Sequence, residues 1–123
     1  MSTLKVNTIQ TTSGVEVYTA KAWVNFNGTG TVAIRASGNV TSITDNGTGD
    51  YTINFTNALP DANYAPVFGS QADQISSTNN GNVYGDVARF NNALQTTSAR
   101  LGWGAGGYAS RYDPTMAIVA IFR

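Results

Sequence analysis

Chemistry in this chain would have to rest on carboxylates, because the sequence contains neither histidine nor cysteine. Histidine is the usual general base near neutral pH, and cysteine supplies thiolates for catalysis, zinc binding and disulfides. The acidic residues are Glu16, Asp45, Asp50, Asp61, Asp73, Asp86 and Asp113. Two of them could in principle hydrolyse a glycosidic bond, but most lie in predicted turns, where Asp caps the backbone. We therefore expect no catalytic residues and no enzyme activity.

Two short patterns look like ligand motifs without the context that such motifs need. Residues 102–107 (GWGAGG) match G-x-G-x-x-G, but a dinucleotide site requires a following helix, and the next residues, YASRYDP, do not favour one. Residues 45–50 (DNGTGD) offer oxygen ligands for Ca²⁺ but lack the length and the bidentate Glu of an EF-hand. A loop and a β-hairpin are the favoured interpretations, so we predict no cofactor and no metal.

The glycine-rich segment 102–113 holds the best candidates for recognition, namely Trp103, Tyr108, Arg111 and Tyr112. Aromatic faces stack on sugar rings or apolar ligands, and Tyr and Arg are favoured anchors of binding surfaces. The alternative is that these rings pack beneath the loop or between subunits. Both interpretations stay open from the sequence.

The charge pattern argues against two classes of partner. Seven basic and seven acidic residues give a formal net charge of zero, and the basic residues are scattered singly. Nucleic acids and anionic membranes both attract clustered cations. The longest apolar run, Met116 to Phe122, is too short to span a bilayer. We predict no nucleic-acid partner and no membrane insertion.

The elements that must position these residues are β-strands, because apolar residues alternate with a period of two. Tyr51, Ile53 and Phe55 share one strand face, with polar residues between them. The predicted strands are Leu4–Ile9, Val15–Ala20, Ala22–Asn27, Val32–Ser37, Val40–Thr44, Tyr51–Thr56, Tyr64–Gly69, Val83–Phe90, Ala99–Trp103 and Thr115–Phe122, with at most a helical turn near Asn91–Thr96. This spacing predicts an all-β fold, an antiparallel β-sandwich that is jelly-roll-like or a small barrel. We expect residues 1–20 to form an N-terminal arm and residues 21–123 to form the sandwich domain.

Two features predict contacts between subunits. The last strand is apolar on both faces, which predicts burial on both sides, either at the centre of a sheet or at a subunit interface. Trp23 lies on the otherwise polar face of its strand, and we expect it to pack against a neighbouring subunit or the arm.

Four segments carry a family resemblance. They are residues 4–14 (LKVNTIQTTSG), 22–30 (AWVNFNGTG), 43–55 (ITDNGTGDYTINF) and 59–64 (LPDANY). Over residues 1–69 the chain resembles bacteriophage tail-fibre and virion structural proteins, especially those of marine and cyanobacterial phages.

The resemblance implies a non-enzymatic virion protein that forms a homotrimer. It would have a tail-fibre or receptor-binding role, with tail or capsid proteins and host surface glycans as further partners. The arm would dock on the particle, and the loops at 71–82 and 102–113 would face outward. A capsid decoration (cement) protein and a lectin-like carbohydrate-binding module are the alternatives.

Overall fold

The computed structural model describes residues 2–71, 83–87, 91–105 and 111–123. These residues form eight strands and no helix, so none of them belongs to a helix that could cross a membrane. The strands are β1 (Ala22–Asn27), β2 (Ala33–Gly38), β3 (Val40–Gly47), β4 (Asp50–Phe55), β5 (Ala65–Gln71), β6 (Val83–Val87), β7 (Ser98–Ala105) and β8 (Met116–Phe122). The predicted all-β class is confirmed.

The strands form two antiparallel four-stranded sheets, packed face to face as a β-sandwich. One sheet has the order β2-β1-β8-β5 and the other has the order β3-β4-β7-β6. Three hairpin pairs, β1/β2, β3/β4 and β6/β7, stay within one sheet, and the other connections cross between the sheets. The predicted sandwich is therefore confirmed.

The core lies between the sheets and is built by alternate residues of each strand. On β4, Tyr51, Ile53 and Phe55 are buried, as the alternation predicts. The ring of Phe26 contacts the rings of Tyr51 and Trp103 edge to face, with centroids 5.2 and 5.6 Å apart. Burial of each large apolar side chain contributes about 1.5–3 kcal/mol, so this cluster is a main source of stability.

Three predicted elements differ from the structure. Leu4–Ile9 and Val15–Ala20 are not strands; among the described residues, the arm pairs only through an isolated β-bridge between Gln10 and Glu16. Asn91–Thr96 contains a turn, and Asn92 has a φ of 61°, which a right-handed helix does not allow. The predicted strand Val83–Phe90 is present as β6, and its last three residues lie outside the described part.

The last strand is central, as predicted, but its predicted burial on both sides is wrong for the single chain. β8 pairs with β1 on one side and β5 on the other. Ala117, Val119 and Ile121 are buried in the core, whereas Ile118 and Phe122 are exposed on the outer face. A two-layer sandwich has no third layer to cover that face.

Candidate functional site

The outer surface of the β2-β1-β8-β5 sheet is the main candidate site, because apolar side chains meet there without cover. We call Trp23, Val67, Ile118, Ala120 and Phe122 the apolar face. Trp23 and Val67 pair with Ala120 from its two sides, so these three residues form a row across β1, β8 and β5. Trp23 is 43% exposed and Val67 is 55% exposed. The register therefore makes the patch continuous rather than scattered.

Trp23 is held against its own sheet by a glycine. Its partner across the β1–β2 pair is Gly38, and a Cβ at Gly38 would lie only 2.8 Å from Cδ1 of the indole. The missing side chain leaves room for the ring to lie over β2. One side of the indole thus packs on the sheet and the other faces outward, which presents a flat and ordered aromatic surface.

The outer face of the β3-β4-β7-β6 sheet has the opposite character. The Asn54 side-chain amide donates hydrogen bonds to the hydroxyl oxygens of Ser42 (3.1 Å) and Thr44 (3.0 Å). The Asn46 amide likewise donates to the Thr52 hydroxyl at 2.8 Å. These side chains satisfy one another's hydrogen bonds and remain compatible with water.

Two ion pairs extend this polar face. The Arg100 guanidinium donates to both carboxylate oxygens of Asp50, at 2.9 and 2.7 Å, and these bonds lower the pKa of Asp50. Arg111 donates to Asp86 at 2.8 Å across Gly102, which leaves space for its guanidinium because it has no side chain. Each charge has a partner of opposite sign, so these four residues carry no net charge.

The recognition residues predicted for the 102–113 segment do not share one surface. Trp103 lies on the inner face of β7 and is 0% exposed, so its ring offers no surface to a ligand. Its indole Nε1 has no hydrogen-bond partner among the described residues. Arg111 and Tyr112 are partly exposed, and Tyr108 lies outside the described residues. A ligand contact by Arg111, Tyr112 or Tyr108 stays a prediction.

A polar lock, which the sequence did not reveal, closes one end of the sandwich. The Tyr51 hydroxyl lies 2.5 Å from Oδ1 of Asp113 and 2.8 Å from the carbonyl oxygen of Gly28. Oδ1 also accepts the backbone N–H of Gly49 at 2.7 Å. Burial, followed by the bond to Asp113, raises the pKa of the Tyr51 hydroxyl. The lock joins the β1–β2 and β3–β4 connections to the segment before β8.

Gly49 shows how closely these segments approach. Its φ is 62°, in the left-handed region, and its backbone carbonyl accepts the N–H of Trp103 at 2.8 Å. A Cβ there would lie 2.7 Å from the backbone nitrogen of Tyr112. Glycine is required at this position on both grounds. The turn places Tyr112 and Asp113.

Metal chemistry has no cluster to support it in the described part of the chain, where no three acidic side chains come together. No family model, curated protein or solved structure matches this chain.

Proposed function

We propose that this protein is a non-enzymatic structural subunit of a bacteriophage particle, a tail-fibre-like module that assembles as a homotrimer through its apolar face. The observation that carries the proposal is the contrast between the two outer sheet faces. On one outer face the polar side chains hydrogen-bond to one another, whereas the other outer face exposes Trp23, Val67, Ile118 and Phe122.

The chemistry of the apolar face favours a protein partner. Single exposed apolar residues are common on soluble proteins, whereas a contiguous patch marks an interaction surface. Large aromatic side chains such as Trp23 and Phe122 dominate the energy of many protein interfaces when they become fully buried. A copy of the same chain offers the same apolar surface, and closed symmetry lets each copy use it.

The phage assignment is supported by the resemblance of residues 1–69 to virion proteins. In the proposed trimer, the hydrogen-bonded polar faces lie outward and the apolar faces lie inward. This arrangement suits a particle component that is exposed to water. The arm joins the module to tail or capsid proteins. The resemblance favours the tail-fibre role over the capsid decoration alternative. The lectin alternative is less favoured because Trp103, one of its candidate rings, is buried.

The self-association is tested with a lysine placed on each outer face. Val67→Lys puts a charge on the apolar face at an exposed position of the edge strand β5, and Thr44→Lys is the matched control on the edge strand β3 of the polar face. Light scattering coupled to size exclusion should give the wild type and the Thr44→Lys variant three times the 13.0 kDa chain mass. An unpaired buried charge costs about 3–5 kcal/mol, so Val67→Lys should be monomeric.

A monomeric wild type, or equal masses for the two variants, would contradict the proposed assembly. The particle assignment has its own test, which is electron microscopy of intact phage particles with the chain located in the density. Purified particles without the chain would refute the virion role, whatever its oligomeric state.

A further inference from the structure

Residues 9–17 of the arm form a small hairpin, which we call the arm hairpin. Gln10 and Glu16 form its β-bridge, and the N–H of Val17 donates to the carbonyl of Ile9 at 2.7 Å. The turn is closed by a bond from the N–H of Gly14 to the carbonyl of Thr11 at 2.9 Å. The hairpin therefore has a defined register.

The register makes the arm hairpin amphipathic. Because side chains alternate along a strand, Ile9, Val15 and Val17 share one face, and Gln10 and Glu16 share the other. The three apolar residues are between 43% and 61% exposed. The hairpin thus presents an apolar strip to solvent.

Such a hairpin needs a surface to pack on. An isolated two-stranded hairpin is marginally stable in water and requires a further strand or an apolar partner. Among the described residues, the arm hairpin has no ladder with any strand of the sandwich. The only continuous apolar surface that the described sandwich leaves open is the apolar face.

The same chain does not bring these two surfaces together. A groove beside the hairpin is lined by Ile9 and Val17 from the arm and by Lys21 and Arg123, which places the arm at the end of the sheet where β1 begins and β8 ends. Lys21 is held there, since its N–H donates to the carbonyl of Ile121 at 2.7 Å. Ile9 and Val17 stay 50% and 43% exposed, and no residue of the apolar face lines the groove, so both apolar surfaces remain open within one copy.

We propose that the arm hairpin of one copy packs its Ile9, Val15 and Val17 side chains on the apolar face of a neighbouring copy. This inference rests on the proposed self-association and names the segment that completes the interface. Trp23 and Phe122 lie at the end of the apolar face from which the arm departs, so an arm directed away from its own sheet can reach the adjacent copy.

Cysteine pairs test the contact directly, because the chain has no cysteine of its own. A Val17→Cys chain and a Val67→Cys chain of different tag length are mixed and oxidised. We expect a disulfide-linked heterodimer on a non-reducing gel. Glu16→Cys is the matched control, because its side chain lies on the polar face of the hairpin, and it should not link to Val67→Cys. Equal linkage from both positions, or none from Val17→Cys, overturns the inference.

The hairpin's contribution is measured with the full-length Ile9→Ser/Val17→Ser double variant. Loss of two apolar contacts should weaken trimer formation by roughly tenfold or more, whereas Gln10→Ser/Glu16→Ser should leave it unchanged. A wild-type trimer that both variants retain equally refutes the hairpin contact but leaves the proposed function standing. A monomeric wild type refutes the proposed function itself. A Val17→Cys/Val67→Cys chain that closes its disulfide within a monomer shows packing on the same copy and overturns the exchange.

Discussion

The hydroxyl of Tyr51 should contribute more to stability than that of Tyr64, because their acceptors differ in charge. The Tyr51 hydroxyl contacts the Asp113 carboxylate at 2.5 Å and the Gly28 carbonyl at 2.8 Å. The Tyr64 hydroxyl contacts the backbone carbonyls of Gln95 and Ser98, both at 3.0 Å. Tyr51→Phe and Tyr64→Phe remove one hydroxyl each and leave both rings in the core. The pair therefore compares a charged acceptor with neutral ones.

The expected magnitudes follow from that difference. A hydrogen bond to a charged group contributes about 1.5–3 kcal/mol, and a neutral one contributes about 1 kcal/mol. After Tyr51→Phe, Asp113 keeps the N–H of Gly49 but loses its shortest bond beside a buried ring. We expect Tyr51→Phe to lower the free energy of unfolding by about 2–3 kcal/mol and Tyr64→Phe by about 1 kcal/mol.

Guanidinium denaturation followed by Trp fluorescence measures these losses. Both substitutions are made in the Val67→Lys background, so that subunit dissociation does not add a concentration dependence to the transition. The midpoint should fall while the slope with denaturant stays constant. A Tyr51→Phe loss no larger than the Tyr64→Phe loss would refute the reasoning. So would additive losses for Tyr51→Phe and Asp113→Asn, because residues in direct contact should be coupled.

Two further predictions concern the core. Trp103→Ala should lower the free energy of unfolding by about 3–5 kcal/mol because it leaves a cavity. Trp103→Phe should lower it less, because the ring that remains fills part of the space and the unpartnered buried Nε1 donor is removed. Equal losses for the two variants in thermal or chemical unfolding would contradict this. Burial raises the pKa of Tyr64 to about 12. Since an unfolded Tyr titrates near pH 10, the folded state binds this proton more tightly, so this stability is present below about pH 10 and is lost as pH rises toward 12. Tyr51, whose pKa burial also raises, acts in the same direction. Alkaline unfolding followed by circular dichroism should therefore be shallower in Tyr64→Phe, and an unchanged profile would contradict the assignment.

The strands of the sandwich could be predicted because their signal is local. The alternation of Tyr51, Ile53 and Phe55 describes which face each side chain takes, and it needs no knowledge of the rest of the fold. The arm shows the limit of such patterns. Its residues alternate as well, but a strand also needs a neighbour to pair with, and the sheets begin only at Ala22.

Trp103 shows why the recognition residues were harder to place. Trp103 belongs both to the predicted strand Ala99–Trp103 and to the glycine-rich segment 102–113, so the sequence left two interpretations of its side chain open. The pairing of Leu101 with Tyr51 sets the register of β7 and thereby turns Trp103 into the core. The lock between Tyr51 and Asp113 was invisible for a related reason, since 62 positions separate the two residues.

The sequence by itself determined that the chain is all-β, because the period of two and the turn residues are local properties. It also showed that Trp23 lies on an otherwise polar strand face and that the last strand is apolar on both faces. Only the tertiary structure decided what that means. Pairing of β8 between β1 and β5 directs Ala117, Val119 and Ile121 into the core and leaves Ile118 and Phe122 beside Trp23 on the outside. A strand with two apolar faces has the same sequence pattern whether its second face is covered by its own chain or by another chain. Only the packing of the two layers distinguishes these cases.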